Sequence, residues 1–336
     1  MMRATTTLLL IAASLLLLLF VLAGCSYFLG KRATAVAGGS VDISPDGTQL
    51  LFSTYGDLYL LNLQTKSVSQ LTSTPEAEGA ATFSPDGKSI AYVANTSGEG
   101  LRLFIRSLDG LHVQQLTDEP QTSDSAPSFS TDGTRIVFAR AHTLHARSTG
   151  GKSWVDWDIY VVNSDGAQMR RLTEQKYYQC GSPQFLKKDG EILFSAHVDR
   201  PTSLFKVNAA GGQAPQPFAG TPDKDARMGA FATEPDVSPD GSRIAFISDR
   251  AEGFAYDLYV MNADGSEPKQ LGIVKLDEKR HPSFIPSSPV FMPDGRSILF
   301  QVGSSNLWQV DIEGRNMRKI ADRSLFTEPL KGQPKQ

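Results

Sequence analysis

The chain offers few residues at spacings that chemistry needs. Five histidines, His112, His142, His145, His197 and His281, are scattered along it. His142 and His145 are close enough in sequence to share a metal, but no nearby Cys or third His completes a ligand set. The plainer reading is a solvated pair in a loop. Gly150-Gly151-Lys152-Ser153 has the end of a phosphate loop. Ala146 stands where its first glycine belongs, and no helix pattern follows, so that reading fails. No Gly-x-Ser-x-Gly elbow and no His-Glu-x-x-His occurs. No catalytic residue, metal ligand or cofactor is assigned, and the chain is expected not to be an enzyme. Asp249-Arg250 and Asp199-Arg200 read as structural ion pairs that steady loops.

Binding chemistry is better represented. One segment holds Arg140, His142, His145, Arg147, Lys152, Trp154 and Trp157, including two of the chain's three tryptophans. A second holds Lys275, Lys279, Arg280, His281 and Phe284. Aromatic side chains next to Arg are typical anchors of protein interfaces. Arg147, Trp154 and Trp157 are therefore the candidate partner-binding residues, with Lys279 and Arg280 at their edge. The plainer reading of the tryptophans is that they fold the segment onto its support.

The elements that must position these segments are repeats. Ser44-Pro45-Asp46-Gly47 recurs as Ser84-Pro85-Asp86-Gly87 and Ser238-Pro239-Asp240-Gly241. Looser copies are Ser130-Thr131-Asp132-Gly133, Lys187-Lys188-Asp189-Gly190 and Met292-Pro293-Asp294-Gly295. Pro presets φ, and Gly takes φ > 0 before the next strand, so each copy is a tight hairpin turn. A continuous apolar run follows each turn, such as Ile136-Val137-Phe138 or Ile244-Ala245-Phe246, as in strands buried on both faces. A strand centred on an aromatic comes next, such as Asp57-Leu58-Tyr59, and a short strand such as Gln70-Leu71-Thr72 closes the unit.

Four strands per unit and six units predict an all-β fold, a six-bladed β-propeller of antiparallel blades spanning 39–321. No strand is left over to latch the ends, although Ala33 to Ala37 could add an edge strand. Successive turn aspartates are 40 residues apart at the shortest (Asp46 to Asp86) and 57 at the longest (Asp132 to Asp189). The excess in the third repeat is expected as a loop from Arg140 to Asp156. In the fourth and fifth it falls at Ala219 to Thr233 and Ile273 to Ser287. All three emerge opposite the Ser-Pro-Asp-Gly turns, and loops on a rigid scaffold are where binding resides.

The first 24 residues read as an export signal. Arg3 precedes an apolar run from Leu8 to Leu22, too short for a comfortable membrane span. The run ends in Leu22-Ala23-Gly24-Cys25, which resembles a bacterial lipobox. That resemblance implies cleavage before Cys25 and lipid on its thiol, leaving 25–38 as a lipidated tether and 322–336 as a tail. Ser26 resembles the outer-membrane sorting class, so the expected place is the outer membrane facing the periplasm, or the outer face of the plasma membrane where there is no outer membrane. Cys180 then has no disulfide partner and reads as a small buried apolar residue. Lys+Arg is 33 and Asp+Glu is 36, a net charge of −3, without the basic surplus of a nucleic-acid binder.

The succession Phe-Ser-Pro-Asp-Gly, Asp-Leu-Tyr and Gln-Leu-Thr resembles the WD-like repeat of the TolB-type propellers, over about residues 39 to 321. In that family the propeller is a protein-docking platform. The resemblance implies a monomer acting as a scaffold for an envelope protein. It departs from the family in having only a short tether before the first blade instead of an α/β domain, and in the lipid on Cys25. Similar propellers occur in oligogalacturonate lyases and prolyl-oligopeptidase-type peptidases. The alternative is therefore a glycan- or cell-wall-binding protein with weak lyase-type activity.

Overall fold

A computed structural model describes residues 41–96, 100–146, 152–186, 189–198, 202–218, 231–250, 256–273, 285–303 and 306–322. The expected leader, Cys25, the tether and the edge strand at 33–37 lie outside these residues. So do most of the segments 219–233 and 273–287.

Blade 1 comprises β1 (Val41–Ile43), β2 (Gln49–Thr54), β3 (Asp57–Asn62) and β4 (Val68–Gln70). Blade 2 comprises β5 (Glu78–Phe83), β6 (Ser89–Ala94), β7 (Arg102–Ser107) and β8 (Val113–Gln115). Blade 3 comprises β9 (Ser123–Phe129), β10 (Arg135–Ala146), β11 (Lys152–Asn163) and β12 (Arg170–Arg171). Blade 4 comprises β13 (Gln179–Phe185), β14 (Glu191–His197), β15 (Thr202–Asn208) and β16 (Gln216–Pro217). Blade 5 comprises β17 (Ala232–Val237), β18 (Arg243–Ser248), β19 (Asp257–Asn262) and β20 (Lys269–Gln270). Blade 6 comprises β21 (Pro286–Phe291), β22 (Ser297–Val302), β23 (Asn306–Asp311) and β24 (Arg318–Ala321). Each blade is an antiparallel sheet in simple chain order, and the first strands of neighbouring blades lie side by side as the inner wall. The fold is the six-bladed propeller that the repeats predict.

The Ser-Pro-Asp-Gly turn is self-capped. Ser44 Oγ donates to Asp46 Oδ1 at 2.6 Å, and Gln49 N–H donates to Ser44 Oγ at 2.9 Å. Gly47 has φ +72°, and a Cβ there would lie 3.5 Å from Pro293 Cδ of blade 6. Gly87 meets Pro45 and Gly133 meets Pro85 in the same way, so the turns interlock from blade to blade. Blade 3 has Thr131 instead of Pro. There the backbone N–H and hydroxyl of Thr131 donate to the Asp189 carboxylate of blade 4.

The second strands are buried on both faces, with Phe138, Phe194, Phe246 and Phe300 fully buried. Burying each such ring contributes about 1.5–3 kcal/mol. The central aromatic of the third strand stacks on them across the ladder, as in Phe52–Tyr59 at 5.6 Å and Phe246–Tyr259 at 5.6 Å. The polar ends of the repeat are consumed by the fold. Thr72, Thr117 and Thr173 accept the N–H of Leu58, Leu103 and Ile159 through their hydroxyl oxygens. Asp158 accepts from Arg171, from the Thr173 hydroxyl and from Gln175 N–H.

The ring closes by packing. β1 lies against β21, and Val41, Ile43, Leu50 and Phe52 share one core with Val290, Leu299 and Leu307. Among the described residues no strand crosses between the first and last blades. The first strands also carry a feature that the repeat does not announce. Ala80, Ala126, Ser182, Glu234 and Ser288 all have φ between 45° and 52°. In each of these blades, 2 to 6, the register with the second strand shifts across these residues, as at a β-bulge.

Candidate partner-binding rim

The excess sequence of the third repeat is a paired hairpin, not the expected loop. β10 and β11 stay in register out to Ala146 opposite Lys152, well beyond the neighbouring strands. Asp156, at φ +59°, interrupts the ladder, and the Thr143 hydroxyl donates to its carboxylate at 2.6 Å. Beyond that point Leu144 faces Trp154 directly across the strands. Directly opposed residues share a sheet face, so the two apolar side chains form one patch. Leu144 is exposed. Trp154 is half-buried, and its ring edge lies beside Gly100 of blade 2, where a Cβ would come within 3.0 Å.

Trp157 is placed differently. It is 3% exposed and packs with Val137, Tyr177, Cys180 and Phe194 between blades 3 and 4. Its indole N–H donates to the Trp154 carbonyl at 3.0 Å, and its backbone pairs with Tyr177. Its position on the expected binding segment is thus spent inside, where it fixes the hairpin to the ring. Arg147, Lys279 and Arg280 lie outside the described residues.

Arg140 also turns inward. It is fully buried at the hairpin's base, with Nε 2.6 Å and Nη2 3.0 Å from the Asp124 carboxylate and Nη1 2.7 Å from Glu119. Its guanidinium lies over Phe138 and Tyr160, at 5.3 and 5.1 Å from the ring centres. Arg250 in blade 5 repeats the stacking over Phe246 and Tyr259. Its neighbour Asp249 accepts Phe231 N–H at 2.6 Å, tying that loop to the blade. His142 Nε2 is 3.2 Å from the Tyr160 hydroxyl, and burial lowers its pKa. His145 is exposed and lies on the opposite strand face from His142, so the two do not converge on one ion. Among the described residues no group of three or more His, Cys, Asp or Glu side chains is arranged to hold a metal.

The hairpin shares its face of the ring with other exposed apolar groups. Tyr178 precedes β13, Val198 follows β14 and Tyr55 tips the β2–β3 turn. All stand opposite the Ser-Pro-Asp-Gly turns. The edge of Tyr178 meets His197 at 5.9 Å, so blade 4 presents an exposed aromatic group of its own on this face of the ring. The sequence signal for Tyr178 and Val198 was weak, since single aromatic and apolar residues at strand ends are common.

The inner wall is acidic on one side. Asp42 of β1 accepts the Thr82 hydroxyl and Phe83 N–H from blade 2, and Asp236 of β17 accepts Phe291 N–H from blade 6. Glu234 accepts Ser288 N–H in the same way. These carboxylates join adjacent blades. Each keeps partial exposure at its edge, yet the surrounding ring is dense. Burial pushes Asp42 up to about 6 and Asp236 up to about 8, the charge of Asp42 adding to the latter.

Residues 44–126 match the family model of the dipeptidyl peptidase IV N-terminal region. The Tol-Pal system protein TolB of Wolinella succinogenes is 28% identical over 169 residues, covering 48% of this chain and 37% of that protein. TolB of Francisella tularensis subsp. mediasiatica is 27% identical over 231 residues, covering 66% of this chain and 48% of that protein. The chain thus matches less than half the length of these relatives. The crystal structure of TolB from Acinetobacter baumannii superposes with a TM-score of 0.59 at 18% identity, covering 86% of this chain and 65% of that one. The oligogalacturonate lyase of Vibrio parahaemolyticus superposes with a TM-score of 0.60 at 18% identity, covering 87% and 79%. With six in-phase blades and these likenesses, the fold of this chain is a six-bladed β-propeller like that of TolB.

Proposed function

We propose that this chain is a cell-envelope docking propeller, anchored by lipid on Cys25, that binds a protein partner through the rim of blades 3 and 4. The observation that carries the reading is the projecting hairpin with its Leu144–Trp154 pair, with Tyr178 exposed on the same face of the ring. An apolar and aromatic patch held on rigid strands has the form of an interface anchor. The TolB relatives, named for the Tol-Pal system, support a partner in the envelope. Arg147, from the same segment of sequence, and Lys279 and Arg280 belong to the proposed partner contact on their chemistry alone, since all three lie outside the described residues.

The test is photocrosslinking in intact envelopes from positions 144 and 178, with position 169 on another part of the surface as control. A protein adduct from 144 and 178, lost on Trp154→Ala and not formed from 169, is expected. Adducts from 169 alone would overturn the reading. The likeness to the lyase favours one second reading, glycan binding at the same aromatic rim. Retention on an oligosaccharide array, with no protein adduct from either rim position, would select it.

A further inference from the structure

Four buried side-chain atoms among the described residues lack a hydrogen-bond partner: Thr54 Oγ1, Asp57 Oδ1, Glu78 Oε2 and Arg106 Nε. The fold brings the residues that carry the three oxygens to the seam between blades 1 and 2. Thr54 and Asp57 face each other at the end of the β2–β3 hairpin, so their side chains share a face. Glu78 opens β5 and donates its N–H to the Gly56 carbonyl in that hairpin's turn, at 2.8 Å. Each carboxylate keeps one oxygen without a partner, although Thr72 also bonds to Glu78 and the Thr74 backbone to Asp57. Glu78 Oε1 accepts the Thr74 hydroxyl at 3.0 Å, and Asp57 Oδ2 accepts from Gln70 Nε2 at 3.1 Å. Glu78 is 2% exposed and Thr54 is 3% exposed, so water competes poorly for the remaining oxygens. A buried acceptor left unpaired costs free energy unless something meets it.

Blade 3 shows what meets a carboxylate at this position. Asp124 occupies the place of Glu78, since it donates its N–H to Leu101 as Glu78 does to Gly56. Facing Asp124 across the ladder is Arg140, whose guanidinium answers the charge. Facing Glu78 across the ladder is Ala94, which brings no charge; Arg106 of blade 2 lowers the Glu78 carboxyl from nearby but makes no ion pair with it among the described residues. The Asp57 and Glu78 carboxyls are both raised by burial, and the charge of Asp57 adds to the rise at Glu78.

We propose that Thr54, Asp57 and Glu78 form a binding site for a divalent cation of the calcium class. All three donors are hard oxygens, two of them on carboxylates. Calcium accepts irregular oxygen sets and completes them with water, whereas magnesium demands near-ideal octahedral geometry. Asp57, partly exposed, gives an entry path from the rim. Affinity on the order of 10⁻⁴ to 10⁻³ M is expected, as in other exported modules.

The experiment is calorimetric titration of calcium into the chelator-stripped full chain in detergent. One site per chain is expected. Glu78→Gln and Asp57→Asn should each weaken binding at least tenfold. Thr54→Val keeps the shape of the residue and should weaken it several-fold. Asp42→Asn with Asp236→Asn should leave the site intact, which separates the seam from the inner wall. Calcium should also raise the melting midpoint of the parent chain and not of Glu78→Gln. Equal calcium binding by the parent and Glu78→Gln would overturn the proposal. So would no heat up to about 10 mM calcium, well above that affinity range. If Glu78→Gln does not fold, an unchanged affinity in Thr54→Val overturns it equally.

Discussion

Replacing Arg140 with Ala should be among the costliest single changes in the ring. The guanidinium is fully buried and makes three charged hydrogen bonds, two to Asp124 and one to Glu119. Removing it strands Asp124, itself fully buried, with the Thr117 hydroxyl as its remaining side-chain donor in this network. Breaking a buried pair from one side typically costs about 3–5 kcal/mol. Loss of the contacts with Phe138 and Tyr160 adds about 1 kcal/mol. Glu119 is half-exposed and rehydrates, so it adds little. The expected loss is about 4–6 kcal/mol, a large share of the roughly 5–15 kcal/mol that holds a domain folded. Equilibrium urea unfolding read by tryptophan fluorescence measures it, since Trp157 sits near the hairpin's base. The paired change Arg140→Met with Asp124→Asn should recover most of the loss, because neither a charge nor a large void is left. A loss below about 1 kcal/mol for Arg140→Ala, the scale of an exposed pair, would refute the reasoning.

Three further outcomes are expected. Asp42 and Asp236 titrate near 6 and 8 when folded but near 3.8 when unfolded, because burial favours their neutral forms. The stability they contribute is full below about pH 4 and falls as pH rises through 6 and then 8, and Asp42→Asn with Asp236→Asn should flatten that part of the urea-midpoint profile. Trp157→Ala should lower stability by about 3–5 kcal/mol, whereas Leu144→Asp should leave the melting midpoint nearly unchanged and abolish rim crosslinking. Cys25→Ser should end fatty-acid labelling and leave an unprocessed precursor on gels; a labelled, normally cleaved product would contradict the anchor.

The blades were legible because their turns are written in residues with one conformational use. Gly47, Gly87, Gly133, Gly241 and Gly295 take positive φ, while in blade 4 Asp189 does so instead of Gly190, and the apolar runs after these turns have nowhere to go but inside. The third-repeat hairpin was harder to see. Arg140-Ala141-His142-Thr143-Leu144-His145-Ala146 alternates too weakly to announce a strand, and its pairing comes from β11 alongside it. Trp157 and Arg140 carried interface chemistry in their side chains, but the fold uses both as buried supports. Residue type could not distinguish these roles, since the same aromatic and guanidinium surfaces suit either. The bulges were written without glycine. Their one mark is a proline immediately after Ala126, Ser182, Glu234 and Ser288, which Ala80 lacks. The seam oxygens were invisible because their meaning depends on Ala94, a residue notable only for what blade 3 places in its stead.

The self-contained blades have a topological consequence. Every described sheet is finished before the chain moves on, so the join between blades 6 and 1 resembles the other five joins. Opening the chain between any two blades would sever no ladder, and tying Ala321 to Val41 by a short linker would cross a seam already packed. The ring is thus indifferent to where its sequence starts. Circular permutants begun at Phe231 or Ile285 should give the same propeller with its blades renumbered.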